Sequence, residues 1–249
     1  MIASLPYFRY DGYILLPNSF MTAVISARTR PKNVPVWQKA DWWDYVRIRD
    51  QYETSNAPRA KLFFHDGMLL VDDMGWEGIN HSVVRELFLL LLGFWLARYP
   101  QPNVSFMGGC LLEKGDTDAA SPDLVLYVGL DRPQWAEGEN RKIDLDRWRV
   151  PNLVGEISDT TLASDLDEKK QLYASIGVSE YWVIDVRGRQ VFFFQLDDKS
   201  QYREVATSSL LSGLTSALLE EALLKLGPMT NMDIALWFQK QLADTENIL

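Results

Sequence analysis

Residues 121–185 constrain this chain most, because short apolar runs alternate there with one helical pattern and acids sit at the ends of the runs. Pro122-Asp123 leads into the apolar run Leu124–Val128, and after a long polar interval comes Leu153-Val154-Gly155-Glu156-Ile157-Ser158. Apolar side chains then recur at helical spacing over residues 163–176, Gly177 supplies the stop, and residues 181–185 read as a third strand. An acid at one strand's start and an acid near another strand's end can converge on one metal ion, with a lysine riding the helix behind them.

The flanking patterns complete a mixed α/β chain. Residues 36–52 read as a helix with Trp37, Trp42, Trp43, Val46 and Ile48 as its apolar positions and Asp41 capping its second part. Residues 61–73 read as a hairpin turned at Asp66-Gly67, with His65 beside the turn. From Asn80-His81 a helix runs to about Tyr99, with Asn80 as its cap and Val84, Leu87, Phe88, Leu91, Leu92 and Trp95 at helical spacing. It is apolar nearly all round from Leu87, which predicts burial in the interior or in a dimer interface. Residues 104–110 and 124–128 read as strands around a polar loop at 114–121, and residues 131–146 read as a charged surface loop. A second hairpin turns around Arg187-Gly188, and helices follow at 216–226 and 231–242 with Pro228 between them. The expected plan is one domain: an N-terminal extension with a helix (1–55), a core (56–204) and a C-terminal helical segment packed on it (205–249).

Composition narrows the chemistry. Lys and Arg number 25 against 34 Asp and Glu, a net charge of −9, so contact with phosphates needs a local basic face. The candidate strip is Arg141, Lys142, Arg147 and Arg149, which equally reads as a solvated loop. The single cysteine, Cys110, excludes an intrachain disulfide and a cysteine-built zinc site and points to a reducing, cytoplasmic location. Met1-Ile2-Ala3-Ser4-Leu5-Pro6 lacks the basic start and apolar core of a signal peptide. The apolar block at 87–97 is about half of a bilayer span. Two histidines, His65 and His81, exclude a histidine-rich metal site. No phosphate-binding glycine loop, nucleophile elbow or paired-histidine helix motif is present.

What remains is carboxylate chemistry. Asp123, Glu156 and the Ile157 main-chain carbonyl offer a hard divalent ion, Mg²⁺ with Mn²⁺ as a substitute, a set of oxygens. Glu156 stands among apolar neighbours, where a carboxylate is costly unless paired or metal-bound. Asp165, Lys169 and Tyr173 are spaced by four and share one helix face, which would turn Lys169 towards the strand ends and Lys170 towards solvent. An acid at a strand start also serves as an ordinary turn residue, and an Asp-Lys pair at this spacing as a solvated helix pair.

At these residues the chain resembles a known family. Pro122-Asp123, Val154-Gly155-Glu156-Ile157-Ser158, Asp165-Leu166-Asp167-Glu168-Lys169, Tyr173 and Gly177-Val178-Ser179-Glu180-Tyr181-Trp182-Val183-Ile184-Asp185 are similar to the Uma-two restriction endonuclease family of the PD-(D/E)XK nucleases. The resemblance covers roughly residues 62–195, with Asp66-Gly67 and His81 included. It implies a single-domain α/β fold of restriction-endonuclease-like type, a mixed β-sheet flanked by helices. It implies Mg²⁺-dependent hydrolysis of DNA, frequently by a homodimer, with Asp123 and Glu156 as metal ligands and Lys169 as a catalytic lysine displaced onto the helix. His81, Glu86 and Asp165 are accessory candidates. The superfamily pattern is broken at Ser158, which stands where a lysine is expected. Two alternatives stay open: a catalytically inactive nuclease-fold module that binds a partner, and an unrelated carboxylate enzyme acting on a small or protein substrate.

Overall fold

The computed structural model describes residues 35–54, 60–72, 77–140 and 142–244. The part of the N-terminal extension before residue 35 and Arg141 of the basic strip lie outside the described residues. In chain order the elements are β1 (Gln38–Lys39), α1 (Trp42–Thr54), β2 (Lys61–His65), β3 (Met68–Asp72), α2 (Ile79–Arg98), β4 (Val104–Met107), β5 (Leu111–Lys114), β6 (Asp118–Ala120) and β7 (Leu124–Val128). They continue with β8 (Lys142–Asp144), β9 (Leu153–Ser158), α3 (Leu162–Leu166), α4 (Glu168–Ile176), β10 (Glu180–Asp185), β11 (Gln190–Leu196), β12 (Tyr202–Val205), α5 (Ser216–Leu224) and α6 (Asn231–Asp244).

The strands form two six-stranded mixed sheets rather than one. The first runs β1-β3-β2-β6-β5-β8 and the second β12-β11-β10-β9-β7-β4. In the second, β9 and β10 are parallel, because α3 and α4 carry the chain back across the sheet between them. Every residue of both strands is buried. Their alternation separates two cores. Leu153, Ile157, Trp182 and Ile184 join α2, α5 and α6 on one face, while Val154, Tyr181 and Val183 face Tyr173 and Leu172 of α4 and the first sheet. Glu156 has the parity of Val154 and so lies on the α4 side.

Several local readings need correction. The helix expected over 36–52 begins only at Trp42, since Gln38–Lys39 pair with β3 as an edge strand. Asp41 and Asp44 do close that helix start reciprocally: Asp44 N–H donates to Asp41 Oδ1 at 2.8 Å and Asp41 N–H to Asp44 Oδ2 at 3.1 Å. Residues 114–121 are not one loop, because β5 and β6 form a hairpin that buries Leu112, Ala119 and Ala120. The surface loop 131–146 contains β8, drawn into the sheet beside β5 by an ion pair from Lys142 to Glu113. Helix α2 is capped by Gly78, with Asn80 inside its first turn. It is 20 residues long and holds an 18-residue stretch with a mean hydropathy of 1.4, the length and composition of a bilayer span, yet its Val84–Trp95 side is part of the core with α6 and β9.

Glu113 is the hub of the first sheet. It accepts from Tyr45 Oη at 2.7 Å and Arg49 Nη1 at 2.5 Å, in addition to Lys142. Burial alone would raise its pKa, but the Lys142, Tyr45 and Arg49 hydrogen bonds outweigh it and leave it lowered. A lowered folded-state pKa stabilises above the unfolded value and loses that contribution as pH falls through the folded one. Glu113→Gln should therefore cost stability at neutral pH, and the gap to wild type should close below pH 4.5. Urea unfolding of both proteins across that range reads it; a gap independent of pH would contradict it.

Candidate active site

Two glycines let the chain bring Asp123 to β9. A Cβ on Gly155 would stand 3.2 Å from Leu124 Cδ1, and one on Gly108 only 2.9 Å from the Asp123 carbonyl oxygen. With both positions free of a side chain, Asp123 N–H bonds Gly155 O at 3.1 Å and the Asp123 carboxylate continues the ladder, Oδ2 accepting from Ile157 N–H at 2.9 Å. Gly155 O faces β7 and Ser158 O accepts from Val186 N–H on the β10 side. By strand alternation the Ile157 carbonyl also faces the β7 side, past the start of that strand at Leu124.

The remaining groups converge from five elements, β2, α2, β9, α3 and α4. His81, in the first turn of α2, lies with Nε2 at 3.1 Å from Asp123 Oδ2, and Lys61 at the start of β2 ion-pairs with Asp123 Oδ1. Glu156 accepts from Tyr173 Oη at 2.5 Å and lies 3.3 Å from Lys169 Nζ. Lys169 also meets Asp165 Oδ1 at 2.8 Å, and Thr161 Oγ1 donates to Asp165 Oδ2 at 2.7 Å. Asp165 and Lys169 keep this contact although the expected single helix is broken at Asp167 (φ −121°, ψ −88°) into α3 and α4. Lys170 does not point freely to solvent; its ammonium lies 4.2 Å from the Phe194 ring centre.

Burial sets the electrostatics. Asp123, Glu156 and Lys169 are each at most 3% exposed. Burial would raise Asp123, but Lys61 and His81 reverse this and hold it well below the carboxylate range. Burial pushes Glu156 up to about 8 against the pull of Lys169, with Asp123 and Asp165 pushing the same way as burial. Lys169, penalised by burial, is raised by Asp165 and Glu156.

The three buried acids Asp123, Glu156 and Asp165 face two ammonium groups, and Glu77, His81 and Asp123 place ligand atoms within 4.8 Å of one another. Carboxylate oxygens are what a hard divalent cation requires, and an arriving ion would displace the proton that burial favours on Glu156, so the residues fit the Mg²⁺ that the sequence suggests. Among the described residues, His81 Nδ1 and Ser158 Oγ are buried without hydrogen-bond partners.

Asp123, Glu156, Lys169, His81 and Asp165 are thus brought together, with Tyr173. Glu86 is not: it is exposed on Arg85, which also holds Glu77. Lys61 and Glu77 escaped sequence reasoning. The only signal for Lys61 was its place at the head of the apolar run of β2, in phase with Phe63, whose ring centre lies 4.0 Å from Lys169 Nζ. The proposed basic strip is spent internally, Lys142 on Glu113, Arg147 on Glu139, and Arg149 on Asn152 and the Val128 carbonyl.

A mixed sheet with a βαβ crossover brings buried carboxylates and a lysine to one site, and a solved structure shares the fold. A protein from Anabaena variabilis, described as "a putative nuclease belonging to DUF820", has 15% identity and a TM-score of 0.50, covering 80% of this chain and 98% of its own. The family model Uma2, "Putative restriction endonuclease", matches residues 44–229, and the chain belongs to that family. No curated protein matches the chain.

Proposed function

We propose that the protein is a Mg²⁺-dependent DNA endonuclease. The observation that supports this best is the meeting of Asp123 and Glu156 on adjacent strands with Lys169 from the crossover between β9 and β10. Asp123, Glu156 and the Ile157 carbonyl would hold the ion, Mn²⁺ replacing Mg²⁺. A divalent ion there activates water and offsets charge on the phosphodiester. Asp165, itself fixed by Thr161, holds the Lys169 ammonium towards Glu156, where it stabilises negative charge developing on phosphate oxygens. Tyr173 orients the other Glu156 oxygen. Ser158 vacates the superfamily's lysine position, and Lys169 supplies the charge from α4 instead. Family resemblance adds a homodimer, and the single cysteine, Cys110, favours a reducing, cytoplasmic setting.

A second reading, a nuclease-fold module that binds without cutting, is favoured by the net charge of −9 and by the internal use of Lys142, Arg147 and Arg149. Metal binding separates the two. Mg²⁺ or Mn²⁺ in excess should raise the wild-type melting temperature by several degrees, through roughly 2 kcal/mol of linkage, and should leave Asp123→Asn unmoved. A shift of equal size in both proteins would place the ion elsewhere and remove the support for this site.

A further inference from the structure

Each acid of the site already has a cation, but the two lysines are held differently. Lys169 is enclosed, its side chain 4% exposed between Glu156, Asp165 and the Phe63 ring. Among the described residues Lys61 has one ion-pair partner, Asp123, and its side chain is 25% exposed at the head of β2. The two Asp123 oxygens also differ. Oδ2 is taken by the Ile157 N–H and His81, so Oδ1 is the oxygen left to a metal ion, and Oδ1 is the one that Lys61 occupies. A dication and an ammonium cannot share that oxygen without strong repulsion. Lys61, a point charge on a flexible stem at the rim, can leave; Lys169 cannot.

We infer that Lys61 is an internal counter-ion for the metal position, neutralising Asp123 in the metal-free protein, displaced from Oδ1 by the arriving divalent ion, and thereafter presented at the mouth of the site to a phosphodiester oxygen. The inference rests on the metal-dependent reading above. Without Lys61 the metal-free site would leave Asp123 and Asp165 against the single Lys169 ammonium, an uncompensated buried charge even with Glu156 protonated. The lysine therefore keeps the site folded when empty and becomes a substrate contact when it is filled.

The test begins with the wild-type protein. Brief acetylation read by mass spectrometry should show Lys61 labelled several-fold faster once Mg²⁺ or Mn²⁺ is added at a concentration that raises the melting temperature, with Lys169 slow throughout. Lys61 labelling that stays constant or falls would overturn the inference. In calorimetric titration, Lys61→Gln should bind Mn²⁺ roughly tenfold more tightly than wild type, since no charge-assisted bond has to be broken. Equal or weaker binding counts against it. With the ion saturating, the same variant should show a raised KM for DNA and a kcat close to wild type; an unchanged KM removes the phosphate contact. A wild type that binds no divalent ion sinks the metal-dependent reading and this inference with it. A wild type that binds the ion without freeing Lys61 sinks this inference alone.

Discussion

Glu156→Ala and Lys169→Ala should each lower Mg²⁺-dependent cleavage of supercoiled plasmid by on the order of 10²–10³-fold. Glu156 lies within 3.3 Å of the Lys169 ammonium and is oriented by Tyr173 at 2.5 Å, so truncating it removes an oxygen donor and the lysine's partner together. Lys169→Ala carries a second effect. It strips the counter-charge from Asp165, which is fully buried, and an orphaned buried charge costs about 3–5 kcal/mol. The double variant Asp165→Asn/Lys169→Met removes both charges at similar volume, so it should recover much of the lost stability while staying inactive. Cleavage is measured beside the melting temperature of every variant. Wild-type rates in Glu156→Ala or in the double variant would show that cutting arises elsewhere or from a contaminant. A wild type that cuts no DNA with Mg²⁺ or Mn²⁺ would transfer the case to the non-catalytic binding module.

A stability effect of the same size is expected away from the metal position, at Glu180. This fully buried carboxylate accepts from Trp182 Nε1 at 2.7 Å, from Ser209 N–H and Leu210 N–H at 3.0 Å, and from Ser209 Oγ at 2.9 Å. It fastens the start of β10 to the segment that leads into α5, and α5 and α6 close the core over α2. Glu180→Ala would leave those donors unpaired and open a cavity, for a loss of about 3–5 kcal/mol, or roughly 10 °C in Tm. Glu180→Gln, which keeps one carbonyl acceptor, should fall between the two. Urea unfolding midpoints would show this, and a loss under about 1 kcal/mol for Glu180→Ala would mean that water or neighbouring groups satisfy the freed donors.

Much of this protein is legible one residue at a time. Asp66-Gly67, with φ of 46° and 68°, turns the first hairpin as a two-residue loop should. The apolar runs of β7, β9 and β10 and the helix-stopping Gly177 are local patterns, and so is the four-residue spacing that unites Asp165, Lys169 and Tyr173. Glu156 could be singled out because a carboxylate within an apolar run is expensive to bury, Asp123 by its place at a strand start, and Lys169 by its four-residue spacing from Asp165 and Tyr173. Other features belong to the tertiary structure alone. The outer strand of the first sheet, β8, is three residues long and exists through its pairing with β5 and the Lys142–Glu113 ion pair, and no periodicity over three residues can announce it. Lys61 and His81 meet Asp123 across separations of 62 and 42 residues, and Gly108 and Gly155 matter only because another strand passes against them. Local sequence sets which segments can be strand or helix and which residues are too costly to bury idly. Which of those residues share one site follows from long-range packing, a property of the whole chain that no single window of it contains.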